Sequence, residues 1–185
     1  MRERILSTAD RLFYSQGIRA IGVDTVAAEA GISKRTLYNH FSSKEELVTE
    51  YLRRRLPAES QPIDTPPEDQ ILGLFDAMEY VFAQTGYRGC PFVNAVTELG
   101  DPDQEVRKLA VAFKEQRRDW FRRLLDTAGV ADADSLSFQL LILLDGAIAA
   151  TLVRQDPTVA RHARAAAAVL LASAGLQTAS HREAY

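Results

Sequence analysis

What limits this chain most is the way glycines and prolines cut it into segments of helical length. Inside those segments apolar residues return every third or fourth position. A half-buried strand needs alternation at period two, and no run sustains it, so the chain is expected to be all-α, without an internal repeat. Ile5, Ala9, Leu12 and Phe13 make the stripe of a first helix, which Gly17 ends. A short second helix is expected from about Val23 to Ala30, with Gly31 as its stop. Ser33 offers an amino-terminal cap to a third, Lys34 to His40, and Ser43 caps a fourth, with Glu46 completing a capping box. The fourth continues through Leu47, Val48, Tyr51 and Leu52 to the run Arg53, Arg54, Arg55. The stretch "PAESQPIDTPP" holds four of the seven prolines and reads as a joint over residues 57–66. Helices are expected beyond it at 67–85, 91–99, 103–128, 134–155 and 158–175, about nine in all. The tail, 177–185, has little to bury and is expected to be disordered. The layout is thus a three-helix amino-terminal domain with its fourth helix (1–56), a joint, and a larger helical domain (67–176).

Charge separates the two parts. The chain carries −3 overall, yet residues 1–56 hold 10 Lys and Arg against 7 Asp and Glu, whereas residues 57–185 hold 12 against 18. A histone-like or ribosomal protein would be basic throughout, and only the first part suits a polyanion. A single cysteine, Cys90, excludes an internal disulfide and a cysteine-built zinc site. The three histidines, at 40, 162 and 181, make neither Glu-x-x-His nor His-x-x-x-His, and there is no Gly-x-Ser-x-Gly or phosphate-binding glycine loop. No enzyme, metal or cofactor is expected. The amino terminus has no export signal. The run "LLILLDGAIAATLV", broken by Asp145, is short for a bilayer span. A cytoplasmic protein is expected.

Helix, glycine turn and helix form the arrangement whose second helix lies in a major groove. On the third helix Leu37 and Phe41 share a face, expected to be buried against Val26 and Ala30. Arg35 and Asn39 then point away, Thr36 and His40 share a flank, and Tyr38 stays at the surface. Lys34, Arg35 and Lys44 bring charge toward phosphates. Thr36, Tyr38 and His40 bring neutral donors, and Ser33 stands at the helix start, where free N–H groups attract anions. Lys34 and Arg35 are the candidates for reading guanine O6 and N7. The Arg53–Arg55 run reads as helix-end charge.

The stretch "GIRAIGVDTVAAEAGISKRTLYNHFSSKEEL", Gly17 to Leu47, resembles the DNA-binding domain of TetR-type transcriptional repressors. Val26, Ala27, Ala30, Gly31, Ile32, Ser33, Thr36, Leu37, Tyr38, His40, Phe41, Ser43, Lys44 and Leu47 meet that family's pattern. Gly22 departs from it, since a Thr or Ser usually caps the second helix; the cap is lost or passes to Thr25. The resemblance implies phosphate contacts at Thr36, Tyr38, His40 and Lys44, with Lys34 and Arg35 near base edges.

A single helix-turn-helix reads too few base pairs, so a homodimer is expected on a double-stranded operator. The candidate interface is the last two long helices, about 134–155 and 158–175, whose Gly146, Ala147, Ala149, Ala150 and Ala165–Ala168 permit close approach. The resemblance implies this interface, and it implies an unspecified small-molecule effector bound in the middle region. Candidate contacts are Phe75, Met78, Cys90, Asn94, Phe113 and Trp120, and the "GCPF-x-Asn" run resembles a subset of these regulators. Cys90 reads as packing, not as a redox sensor. Asp145 reads as a hydrogen-bonded residue of a helix interface. The expected function is a sequence-specific repressor released by its effector. The alternative is a helical small-molecule-binding or modifying protein whose helix-turn-helix no longer binds DNA.

Overall fold

The computed structural model describes residues 1–57, 64–100 and 104–176. Among these residues the chain forms helices and no strand: α1 Arg2–Gln16, α2 Val23–Glu29, α3 Lys34–Tyr38, α4 Lys44–Arg54, α5 Pro67–Phe82, α6 Pro91–Leu99, α7 Gln104–Thr127, α8 Ala133–Arg154 and α9 Val159–Ser173. Most of the proline-rich joint and the tail at 177–185 lie outside the described residues. Where the expected ends differ, local chemistry accounts for it. α5 stops at Phe82 instead of 85, because Gln84 N–H bonds back to Val81 and Gly86 follows at positive φ. α8 starts one residue early because the Asp132 carboxylate caps Ser135 N–H at 3.2 Å.

Two compact units divide the chain, out of chain order: Met1–Glu59 with Cys90–Phe113, and Ser60–Gly89 with Lys114–Tyr185. This differs from the layout expected, which gave 67–176 to one domain. Side chains on α6 and the opening turns of α7 account for the difference. Phe92, Ala95, Val106 and Leu109 are buried, and Phe92 stacks on Phe113 with centroids 4.2 Å apart. Arg53 of α4 reaches Glu105 of α7 at 3.0 Å, and Glu98 of α6 accepts the backbone N–H of Arg19 at 2.9 Å. None of these long-range partners shows in the local periodicity.

In the first unit Ile5, Ala9, Leu12 and Phe13 of α1 are buried together with Leu47, Val48, Tyr51 and Leu52 of α4, and α1 packs on both α2 and α4. The arginine run closes this packing. Arg54 pairs with Glu3, and Arg55 holds Asp10 through two nitrogens at 2.7 and 2.9 Å while lying over the rings of Tyr14 and Tyr51. Its planar fork suits both tasks. In the second unit α9 packs on α5 and α8 over a core that includes Ile71, Leu72, Phe75, Phe121, Leu125, Leu140, Leu144 and Leu171. Arg161 meets Glu79 and Arg164 meets Asp76, so α9 runs antiparallel to α5. Asp145 is ion-paired to Lys114 of α7.

By length and composition α8 could cross a membrane, a correction to the expectation that its apolar run is too short; the helix extends that run on the amino-terminal side. One face of it, Leu136, Leu140, Leu144, Ala147 and Thr151, is buried within the second unit.

Gly17 sits at φ 95, ψ 149, a backbone region that a side chain strongly disfavours, and a Cβ there would lie 3.1 Å from the Glu98 carboxylate. Gly73, inside α5, has nothing within 4 Å of its missing Cβ. Gly17→Ala should therefore destabilise by about 1–3 kcal/mol. Gly73→Ala should stabilise by about 1 kcal/mol. Both shifts are measurable by urea unfolding.

Candidate nucleic-acid interface

The turn after α2 sets the entry of α3. Gly31 takes φ 65, its N–H bonds to Ala28, and Ile32 N–H reaches back to Ala27 at 3.0 Å. This six-to-one closure is the familiar end of a helix that turns left at glycine. Ser33 Oγ then accepts Thr36 N–H at 3.1 Å and lies 2.8 Å from the Thr36 hydroxyl. α3 ends at Tyr38, short of the expected His40, because His40 N–H bonds to Leu37 three residues back and tightens the last turn.

A helix of five residues does not hold itself in water. Its apolar edge holds it: Leu37 and Phe41 have no solvent exposure, and Val26 and Ala30 beside them are buried, with α2 packed on α3. The opposite edge faces solvent. Lys34, Arg35 and Asn39 are exposed, Tyr38 keeps 43% of its surface, and Thr36 and His40 are half-buried on one flank. The surface positions expected from helical spacing are those found.

The polar residues differ in how occupied they are. Lys34 Nζ is 3.0 Å from Asp24 on α2, and the hydrogen bond to that carboxylate raises the ammonium above its ordinary pKa. The Arg35 side chain makes no hydrogen bond or ion pair among the described residues, so its five donors are open. Lys44 begins α4 and is half-buried; desolvation lowers its pKa, opposed by the charges of Glu45 and Glu98. Thr25 is exposed on α2, but no side chain caps that helix behind Gly22. The cap is therefore lost and does not pass to Thr25.

The box at the start of α4 departs from its expected form. Ser43 Oγ accepts Glu46 N–H at 3.1 Å, but the Glu46 carboxylate answers one residue earlier, on Ser42 N–H at 2.6 Å and Ser42 Oγ at 2.7 Å. These bonds hold the Glu46 carboxyl below its ordinary pKa. The Arg53–Arg55 run, read as helix-end charge, is committed to acids on α4, α1 and α7. Spacing along α4 could not reveal that, since most of the partners lie on other helices.

The effector candidates divide between the units. Phe75, Met78 and Trp120 belong to the core of the second or pack against it, with Trp120 tilted on Phe121 at 5.2 Å. Cys90, Asn94 and Phe113 fall in the first. Two clefts of the second unit, of about 340 and 350 Å³, are lined by other residues, among them Ser135, Gln139 and Ser173 in one and Tyr87, Thr151 and Gln155 in the other.

Comparison with known proteins agrees with this geometry. The profile described as "Bacterial regulatory proteins, tetR family" matches residues 5–51, and that described as "Tetracyclin repressor-like, C-terminal domain" matches residues 67–167. The chain belongs to the TetR family, whose members are DNA-binding transcriptional regulators. It is 34% identical over 145 residues to the HTH-type transcriptional repressor KstR2 of Mycolicibacterium smegmatis, a match that takes in 71% of this chain and 65% of that relative's length. It is 26% identical to the HTH-type transcriptional regulator YjdC of Escherichia coli, over 84% of this chain and 85% of that one. Among solved structures, a TetR-family transcriptional regulator of Streptomyces coelicolor superposes with a TM-score of 0.83 at 32% identity, covering 95% of this chain and 96% of that one.

Exposure predicts that stability and contact with a partner separate on α3. Leu37→Ala should cost about 2–5 kcal/mol. Arg35→Ala, exposed and unpaired, should change stability by less than about 0.5 kcal/mol. Thermal unfolding of the two variants distinguishes them.

Proposed function

We propose that the chain is a homodimeric transcriptional repressor that holds its operator through α3 and releases it on binding a small molecule. The observation that carries this reading is the two-sided character of α3. Leu37 and Phe41 are fully buried, and Arg35, Tyr38 and Asn39 stand on the solvent side with their donors available. Arg35 and Lys34 read base edges; Ser33, Thr36, Tyr38, His40 and Lys44 fix register on phosphates, with Asn39 beside Arg35 and Thr25 at the flank. The relative named a repressor supports the sign of the regulation.

The dimer forms through the outer faces of α8 and α9. Phe138, Ile142, Leu152 and Val153 of α8 and Val169 of α9 are exposed apolar residues, Val153 keeping 84% of its surface. Gly146, Ala149, Ala165 and Ala166 are exposed beside them, whereas Ala147 and Ala167 pack inside the protomer. Only part of the expected small-residue set is thus open to a partner. Effector contact within the second unit is assigned to Phe75, Met78 and Trp120. Bound effector favours a recognition-helix spacing other than the roughly 34–36 Å that successive major grooves require.

Duplexes selected on the protein from random or genomic DNA provide the test. Affinity should fall with rising salt, and Lys44→Ala should weaken all sequences alike, reducing the salt slope by about one. Arg35→Ala should relax the sequence preference at a cost of about 1–3 kcal/mol. Asp24→Asn should release Lys34 and tighten binding by about two- to fivefold at low salt, the size of an exposed ion pair. Affinity that is absent, or indifferent to salt, would favour a helical ligand-binding protein without a working reading head. For the dimer, sedimentation should show Ile142→Glu dissociating the protomers with helicity retained. Trp120 is the only tryptophan, so an effector seated beside it should change the emission of the native protein.

A further inference from the structure

We propose that Glu98, on α6, is a positioning residue of the nucleic-acid interface: its carboxylate holds the α1–α2 turn from which the helix-turn-helix is suspended. The inference rests on the DNA-binding reading above and adds to it a residue outside the helix-turn-helix. Three observations converge on the carboxylate. It accepts the backbone N–H of Arg19 at 2.9 Å. Its two oxygens lie 3.1 and 3.3 Å from the place where a Cβ of Gly17 would stand, so it occupies the space this glycine leaves open. It also lies close enough to Lys44, the first residue of α4, for its charge to favour the ammonium against desolvation. One side chain thus acts just before α2 and at the start of α4, the two boundaries of the reading head.

The local surroundings do not explain an acid at that position. Glu98 is in the last turn of α6, where the helix dipole disfavours a negative charge. A residue that breaks a local rule is expected to have its reason elsewhere in the fold. The turn it grips also needs an outside anchor. Gly22 leaves α2 without a side-chain cap, so the start of α2 is set by the turn before it, through buried Ile18 and Ile21 and the bond at Arg19. α2 in turn bears Asp24, which engages Lys34, and packs on α3. A displaced turn would shift the base-reading edge without altering any residue on it.

The role belongs to the acceptor oxygen, which separates it from simple packing. Glu98→Gln keeps an oxygen for Arg19 N–H; Glu98→Met fills similar space without one; Glu98→Ala removes both. The measurements are amide hydrogen exchange at Arg19, affinity for a duplex selected on the wild-type chain, and the thermal midpoint, all on the full-length protein. Glu98→Met and Glu98→Ala should speed Arg19 exchange about tenfold or more, as expected for loss of a bond to a charged acceptor, and weaken the duplex by a similar factor. Glu98→Gln, which keeps a neutral acceptor in place of a charged one, should speed exchange by no more than about fivefold, less than Glu98→Met does, and bind DNA more tightly than Glu98→Met, since it keeps the bond and leaves the Lys44 charge to the phosphates. Should Glu98→Ala fail to fold, Glu98→Met against Glu98→Gln decides alone. The proposal is overturned if Glu98→Met matches wild type in both readings, or if Glu98→Gln behaves as Glu98→Met does. A wild-type chain with no affinity for the duplex would sink the DNA-binding reading instead, and Arg19 exchange would still decide whether Glu98 holds the turn.

Discussion

Burial of the Leu37 and Phe41 edge is the constraint on which the rest of the interface depends. α3 has five residues, too few for a helix to be stable in isolation. Each of the two side chains contributes roughly 1.5–3 kcal/mol on leaving water. Together with the Ser33 cap they convert a marginal turn into a fixed element. Because the spacing of four places both on one edge, the remaining residues have no choice of side. Lys34, Arg35, Tyr38 and Asn39 are turned outward by what Leu37 and Phe41 do.

Polar commitments then sort the basic residues by job. Arg53, Arg54 and Arg55 are three consecutive cations at the end of α4, and each is bound to acids of neighbouring helices. They brace α4 against α1 and the start of α7. Lys34 is lightly held by one exposed aspartate, the kind of pair that contributes little and is easily exchanged for a phosphate. Arg35 is held by nothing among the described residues. The gradient from committed to open cations leads toward α3, and it explains how a chain of net charge −3 can offer a surface to a polyanion.

The helices were legible because their signals are local. Gly17 and Gly31, the caps Ser33 and Ser43, and apolar spacing of three and four place α1 to α4 within a residue or two of where they lie. The same holds for the side each candidate contact occupies. Less legible was anything decided by a distant partner. The answer of Glu46 to Ser42 instead of Ser43, and the pairing of Asp145 with Lys114, depend on backbone paths and neighbouring helices that no window of sequence contains. That α6 shares a compact unit with the amino-terminal helices has no local signal for the same reason: its apolar face is visible in sequence, but the surface that covers that face is not. The small-residue runs of α8 and α9 were seen, but which alanines are spent inside the protomer was not, since both faces of α8 are apolar.

By itself the sequence determined the helical class, the element boundaries to within about three residues and the two-sidedness of α3, because caps, glycine conformations and the 3.6-residue period act within one or two turns of chain. Only the tertiary structure decided which cations are free, which units the helices join, and that a carboxylate from α6 meets the turn before α2. Those outcomes rest on contacts between residues tens of positions apart, such as Glu98 with Arg19 and Arg53 with Glu105, and such contacts leave no periodic trace in either partner's neighbourhood.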